Sequence, residues 1–295
     1  MARRQLPAFI IITAIAFGMV LGYFILPRPL PLTDLFKTQH YSASTKNDHG
    51  ITKRPVVGCY HIGVEFTKDE ASKSKRCAGN FAQIREEQRR VNSGKMESDR
   101  WTKHSYLRAD SRIVEVGGYT GVDAGRYINL ANSYFTVLEP VPKYFNVLKK
   151  KFSSNPKVTI YNFGLGKENR NLTFDRIAGD ATSLFKNNPN SQTKDAKKET
   201  VIIRDAKEFF NSLGVQQKPL DLLAINCEGC EYELLELIIA EELAQYFKHI
   251  QFQFHVDLPG IVQQECRYCQ IMNLLNRTHS PMFQFSYTWQ AWQLK

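Results

Sequence analysis

Beyond residue 105 the sequence has almost no net charge to offer a polyanion. Residues 1–105 hold 17 basic and 9 acidic side chains, residues 106–295 hold 22 and 20, and together they make the +10 of the chain. A nucleic-acid-binding domain needs a basic face, which a near-neutral domain does not support. No internal repeat is visible. A dinucleotide fingerprint G-x-G-x-x-G is also missing: setting its last two glycines on Gly118 and Gly121 puts Val116 where the first belongs. No pyrophosphate cradle is therefore expected. Apolar and charged fractions of 43% and 23% are those of an ordinary globular chain.

One long apolar run is present. Residues 8–26, AFIIITAIAFGMVLGYFIL, carry no charge, roughly the length that spans a hydrocarbon core of about 30 Å as a helix. Arg3 and Arg4 precede it, which favours a cytosolic N-terminus. The rival reading is a cleaved signal peptide, whose apolar stretch is usually about 7–15 residues before a small-x-small site; here PRPLP follows instead. Either reading sends the body of the chain into the secretory lumen, as a single-pass membrane protein of the Golgi or endoplasmic reticulum or as a secreted one. The expected organisation is an anchor at 1–27, a stem and N-terminal extension at 28–105, and one domain at 106–295. Two sequons, at Asn171 and Asn276, agree with that compartment. So does an even number of cysteines, at 59, 77, 227, 230, 266 and 269. Cys59 and Cys77 bracket a charged stretch and are expected to close a loop. The pairs Cys227/Cys230 and Cys266/Cys269 are open to several readings: disulfides, packed or free thiols, a zinc site or a redox pair. Zinc pairs are usually about 15–20 residues apart, and here 35 residues intervene.

Within 56–105, AQIREEQRRV reads as a helix. From residue 106 onward β-rich apolar runs occur at 112–116, 134–139, 158–163, 201–205, 221–226 and 250–256, with helix-like stretches between several of them. That alternation predicts an α/β fold with a mostly parallel sheet covered on both faces. MFQFSY and TWQAWQL predict an antiparallel hairpin at its edge. Ligands of such sheets bind beyond the carboxyl ends of the strands, so residues there are the candidates.

The first such end reads VEVGGYTG. Glu115, Gly117 and Gly121 keep an acidic-x-Gly-x-x-x-Gly spacing, with Gly118 between. This resembles the first motif of class I methyltransferases, where the glycines pack under the amino-acid part of S-adenosylmethionine and the acid helps to orient it. A strand-to-helix turn without a ligand is the bland alternative. The second strand ends in Glu139-Pro140, where a two-oxygen acceptor can take both hydroxyls of a ribose; a simple helix N-terminal acid is the competing role. Asn162 or Phe163, ending the third run, falls near an adenine in this arrangement or else is a buried strand end.

The stretch AINCEGCEY at 224–232 follows an apolar run and precedes an amphipathic helix. Together with VEVGGYTG, LEPVPKYFNVLKKKF and YNFGLG it resembles the FkbM-type methyltransferase family, over about 180 residues. The resemblance implies a Rossmann-like class I methyltransferase fold, S-adenosylmethionine as cofactor, and a site containing Asn226, Glu228 and Glu231. The family typically carries aspartate where this chain has Asn226, which can hydrogen-bond but cannot act as a base. Methyl transfer to a hydroxyl needs positioning and removal of a proton. His255 is the residue near these strand ends whose ordinary pKa lies close to neutrality, so it is the expected general base, with Glu228 next; a structural, hydrogen-bonded histidine is the alternative. His249 begins the same strand and is expected at the far end of the sheet. Trp289 and Trp292 either stack on a sugar or cover a sheet edge. No metal is expected. The reading is an O-methyltransferase whose acceptor is a glycan, glycolipid or small-molecule hydroxyl. The alternative is a catalytically inactive, membrane-anchored binding protein of the same fold.

Overall fold

The strand Leu222–Ile225 is buried at every residue, and so continuous an apolar run belongs in the middle of a parallel sheet covered on both faces. The computed structural model describes residues 62–175, 198–258 and 260–295, and it places this strand there. It is β7 in a seven-stranded sheet with β1 (Arg112–Val116), β2 (Tyr134–Leu138), β3 (Val158–Tyr161), β8 (His249–Gln253), β9 (His279–Gln284) and β10 (Trp289–Leu294). The strand order is β3-β2-β1-β7-β8-β10-β9. The first five strands in that order run parallel, β10 is antiparallel to β8, and β9 is antiparallel to β10. This is a Rossmann-like α/β fold with an antiparallel edge. From β1 the chain moves outward to β2 and β3, then returns to β7 on the other flank of β1. The order therefore reverses at β1/β7, where Val116 pairs with Ile225, and a crevice opens beyond such a reversal.

Helices α4 (Val122–Ala131), α5 (Pro142–Lys151), α6 (Ala206–Ser212), α7 (Cys230–Ala240) and α8 (Gln264–Leu275) cover the sheet. Helix α7 buries Tyr232, Leu234, Leu235 and Ile238 completely, joining β7 and β8 to a core that also holds Phe210, Phe247, Phe252 and Phe254.

The structure departs from the sequence reading in two places. The run at 201–205 lies outside the parallel sheet. It belongs to β6 (Lys198–Asp205), which pairs parallel with β4 (Gly164–Gly166) and antiparallel with β5 (Arg170–Asp175) in a separate three-stranded sheet. Residues 62–105, expected within the N-terminal extension, pack against the domain. Helices α1 (Lys68–Gly79), α2 (Phe81–Arg89) and α3 (Ser93–Thr102) lie against the domain. Arg277 clamps Glu70 through two 2.7 Å bonds, Arg85 holds Asp257, and Arg100 bridges Asp123 while stacking 3.5 Å from the Trp289 ring centre. Finally, Cys77 pairs with Cys269 rather than Cys59, tying α1 to α8. Trp289 and Trp292 are buried in the sheet, which leaves neither to stack on a sugar. The apolar run at 8–26 and Cys59 lie outside the described residues.

Candidate active site

A cavity of about 320 Å³ opens beyond the carboxyl ends of β1, β2 and β7, a size in the range of small-molecule sites. Its walls are Val116, Gly117 and Tyr119 after β1; Glu139, Pro140, Val141 and Tyr144 after β2; Gly164, Leu165 and Ile203 from the small sheet; and Asn226, Cys227, Glu228 and Cys230 after β7. Two carboxylates thus face the cavity, and none of the described residues lining it is basic.

Glu139 is the better defined of the two. Its Oε2 accepts the Tyr119 N–H at 2.7 Å and its Oε1 the Val141 N–H at 2.8 Å. These bonds fix the carboxyl plane against the cavity, and each oxygen keeps a lone pair for a further donor. Burial raises its pKa to about 7, partly offset by the bonds from Val141 and Tyr119. Val141 is the residue preceding α5, so Glu139 serves the start of that helix and faces the cavity as well.

The other expected cofactor residues divide. Gly117 and Asn226 line the cavity. Gly117 sits at φ +95°, and a Cβ there would stand 2.0 Å from the Asn226 carbonyl oxygen; the two strand ends touch through backbone, and only glycine permits it. Gly118 and Gly121 do not line it. A Cβ on Gly118 would meet Val137 and Leu148, and one on Gly121 would meet Leu148 and Phe152, so both make room for packing of α5 against the turn. Asn162 does not line it either: its amide donates to the Glu139 and Pro140 carbonyls at 2.9 and 3.0 Å. It steadies the chain that carries Glu139. Glu115 does not line the cavity; it is 2% exposed, and its Oε2 has no hydrogen-bond partner among the described residues. Burial first, then the nearby Asp123 and Glu139, pushes its pKa well above the usual carboxylate range.

Glu228 lines the cavity and His255 stands behind it. The His255 Nε2 is 3.2 Å from Glu228 Oε1, and its Nδ1 is 3.2 Å from Glu231 Oε1. Glu231 is fully buried and also accepts the backbone N–H groups of His255 at 2.7 Å and Gly229 at 2.8 Å. Burial alone would depress the His255 pKa, but hydrogen bonds and charges from Glu228 and Glu231 outweigh it and raise the pKa to about 9. At neutral pH the ring is an imidazolium with both nitrogens donating. His255 does not line the cavity, and both its ring nitrogens are engaged by carboxylates. His249, as expected, lies at the opposite end of β8, stacked on Tyr106 and bonded to the Asp221 carbonyl. The walls supplied by Tyr119, Tyr144 and Ile203 were not singled out beforehand; Ile203 reaches the cavity from the small sheet, which the strand pattern does not reveal.

The His255 arrangement fixes a sign for pH dependence. His255 binds its proton more tightly folded than unfolded, so its contribution is complete below 6.5 and is lost as pH rises through about 9. Glu115, with its raised pKa, adds a loss in the same direction. Stability in urea titrations is therefore expected to fall between pH 7 and 9, by on the order of 2–3 kcal/mol from His255. His255→Gln should flatten that part of the slope. An unaltered slope in the variant would mean that the ring is not held as an imidazolium.

No family model matches the chain, and no curated protein does. Solved structures similar to it include the fibrillarin pre-rRNA processing protein of Methanococcus jannaschii, at 12% identity over 63% of this chain and 67% of that one, TM-score 0.38. Another is the fibrillarin of Aeropyrum pernix with natively bound S-adenosyl-L-methionine, at 9% identity over 64% and 69%, TM-score 0.35. A third is a human methyltransferase 10 domain containing protein, at 12% over 70% and 82%, TM-score 0.37. With similarity at that level, the fold assignment rests on the strand order and the site on its own geometry.

Proposed function

We propose that the protein is an S-adenosylmethionine-dependent O-methyltransferase of FkbM type. The observation that carries this reading is the cavity at the β1/β7 reversal, with Glu139 held by two backbone N–H groups at its wall and no described basic residue lining it. Such a cavity disfavours phosphorylated nucleosides and suits a nucleoside that bears positive charge. When bound, S-adenosylmethionine supplies a methyl group activated on a sulfonium. Glu139 would accept the ribose hydroxyls, Gly117 lets the chain approach closely, Asn226 offers a neutral amide, and Val141, Leu165 and Ile203 form the apolar wall. Glu228 is the group placed to take a proton from an acceptor hydroxyl, held in position by His255. A lumenal location is part of the proposal. It is supported by the disulfides Cys77–Cys269 and Cys227–Cys230, which persist in oxidising compartments, and by exposed asparagines in both sequons. There the acceptor class would be a glycan or glycolipid hydroxyl.

Titration calorimetry tests the reading. S-adenosylmethionine is expected to bind with one-to-one stoichiometry and ATP not to bind; no heat from S-adenosylmethionine would remove the proposal. The second reading, a binding protein without turnover, is favoured by Asn226 and by the engagement of His255 with two carboxylates. It predicts cofactor binding with no transfer of labelled methyl to any glycan pool.

A further inference from the structure

The turn from β7 into α7 is closed by a disulfide. Cys227 and Cys230, 5.5 Å apart at Cα, bracket Glu228 and Gly229. Both bracketed residues have positive φ, 56° and 121°, and that region is unfavourable for a glutamate. The turn is held by the sulfur bridge, by the Gly229 N–H on Glu231 Oε2 at 2.8 Å, and by the Glu228–His255 contact. Cys227 and Cys230 are half-buried and line the cavity, so a reagent reaches them by the route a ligand takes. The Cys77–Cys269 bridge is different: Cys269 is 2% exposed, packed between α1 and α8.

A C-x-x-C at a helix start also serves dedicated oxidoreductases, which lower the thiol pKa with positive surroundings. Here the first turn of α7 carries Glu231 and Glu233, and no described residue lining the cavity is basic. A catalyst of disulfide exchange on other proteins is not what this environment favours.

We propose that Cys227–Cys230 is a thiol–disulfide exchange site, open to a small or protein dithiol, whose oxidation state sets the position of Glu228 at the cavity. Its effect on cofactor binding rests on the function proposed above; the exchange itself does not. One thiolate of the reductant attacks a sulfur of the bridge and forms a mixed disulfide, and the reductant's second thiol then resolves it. Two electrons pass to the protein, leaving thiols at 227 and 230 and a disulfide on the reductant. With the ring open, Glu228 relaxes from the left-handed region and withdraws from His255 Nε2. Glu231 remains on Nδ1, and no other described carboxylate contacts that ring.

The test uses the full-length protein and dithiothreitol, with thiol labelling read by mass spectrometry and His255 titrated by NMR. At low dithiothreitol, Cys227 and Cys230 should label while Cys77 and Cys269 stay protected. The His255 pKa should move down by about one unit, and affinity for S-adenosylmethionine should drop about tenfold. Reoxidation should restore all three. C227S/C230S should match the reduced protein and ignore dithiothreitol. Prior opening of Cys77–Cys269 would overturn the proposal, as would a His255 titration unchanged on reduction. If the oxidised protein does not bind S-adenosylmethionine, the cofactor reading fails, and labelling with the His255 titration still decides this one. Reduction of the folded wild-type chain gives that answer even where the double variant does not fold.

Discussion

In Glu139→Ala, affinity for S-adenosylmethionine is expected to fall by about 100-fold or more. Glu139 is the carboxylate fixed at the wall by the Tyr119 and Val141 N–H groups. Each hydrogen bond from a ribose hydroxyl to an ionised acceptor contributes about 1.5–3 kcal/mol, so two of them set that scale. The wild-type protein should carry a matching pH signature. The carboxyl has a pKa of about 7 without ligand, and two donated hydroxyls stabilise only its ionised form. Affinity is therefore expected to be flat above pH 8 and to decline as pH falls through 7, approaching about tenfold per unit well below it. Calorimetry across pH 5.5–8.5 reads both effects. A wild-type curve with no inflection near neutrality, or an alanine variant that binds normally, would take Glu139 out of the site.

The second large effect is on the fold at the cavity floor. A Cβ at residue 117 would meet the Asn226 carbonyl oxygen at 2.0 Å and its carbon at 2.7 Å, and φ there is +95°. The obstacle is backbone of a neighbouring strand end, which cannot swing aside. Gly117→Ala is therefore expected to cost about 4 kcal/mol or more and to separate the ends of β1 and β7. Urea titration reads the loss. Gly125→Ala is the internal contrast. It lies within α4, its nearest Cβ neighbour is the Lys151 Nζ at 3.9 Å, and alanine there should stabilise by about 0.5–1 kcal/mol. If both variants were equally stable, the close approach of the two strand ends would not exist in solution.

The main sheet was legible because its strands are apolar runs of the expected length: RIVEV, YFTVL, LLAI and HIQFQ become β1, β2, β7 and β8. The small sheet was not, since β4 is three residues long and β5 is exposed at Asn171 and Thr173, leaving no run to notice. Helix α1 carried a readable sign that composition obscured. Thr67 and Glu70 form a reciprocal capping box before a highly charged helix, and that spacing marks a helix start. Strand-end position alone placed Glu139 and Asn226 at the cavity wall, because it depends only on where an apolar run stops. Glu115 lies one residue short of the cavity wall, which begins at Val116, and the acidic-x-Gly spacing does not show where the wall begins. The pKa of His255 was not legible from the residue type alone. Its pKa belongs to Glu228 and Glu231, more than twenty residues earlier, which only the β7–α7 turn brings to the ring.

The attachment of α1–α3 has a consequence for how the chain reaches its native state. Their anchors are Asp257, Asn273, Arg277, Ser286, the Tyr287 carbonyl and Trp289, separated from their partners by 172 to 207 residues. During synthesis these helices emerge early and have no docking surface until α8 and the edge hairpin exist. Contacts of such span slow folding. Their apolar face, with Phe81 and Ile84, stays in water meanwhile, and a ribosome stalled before residue 257 would display a nascent chain that a chaperone must hold.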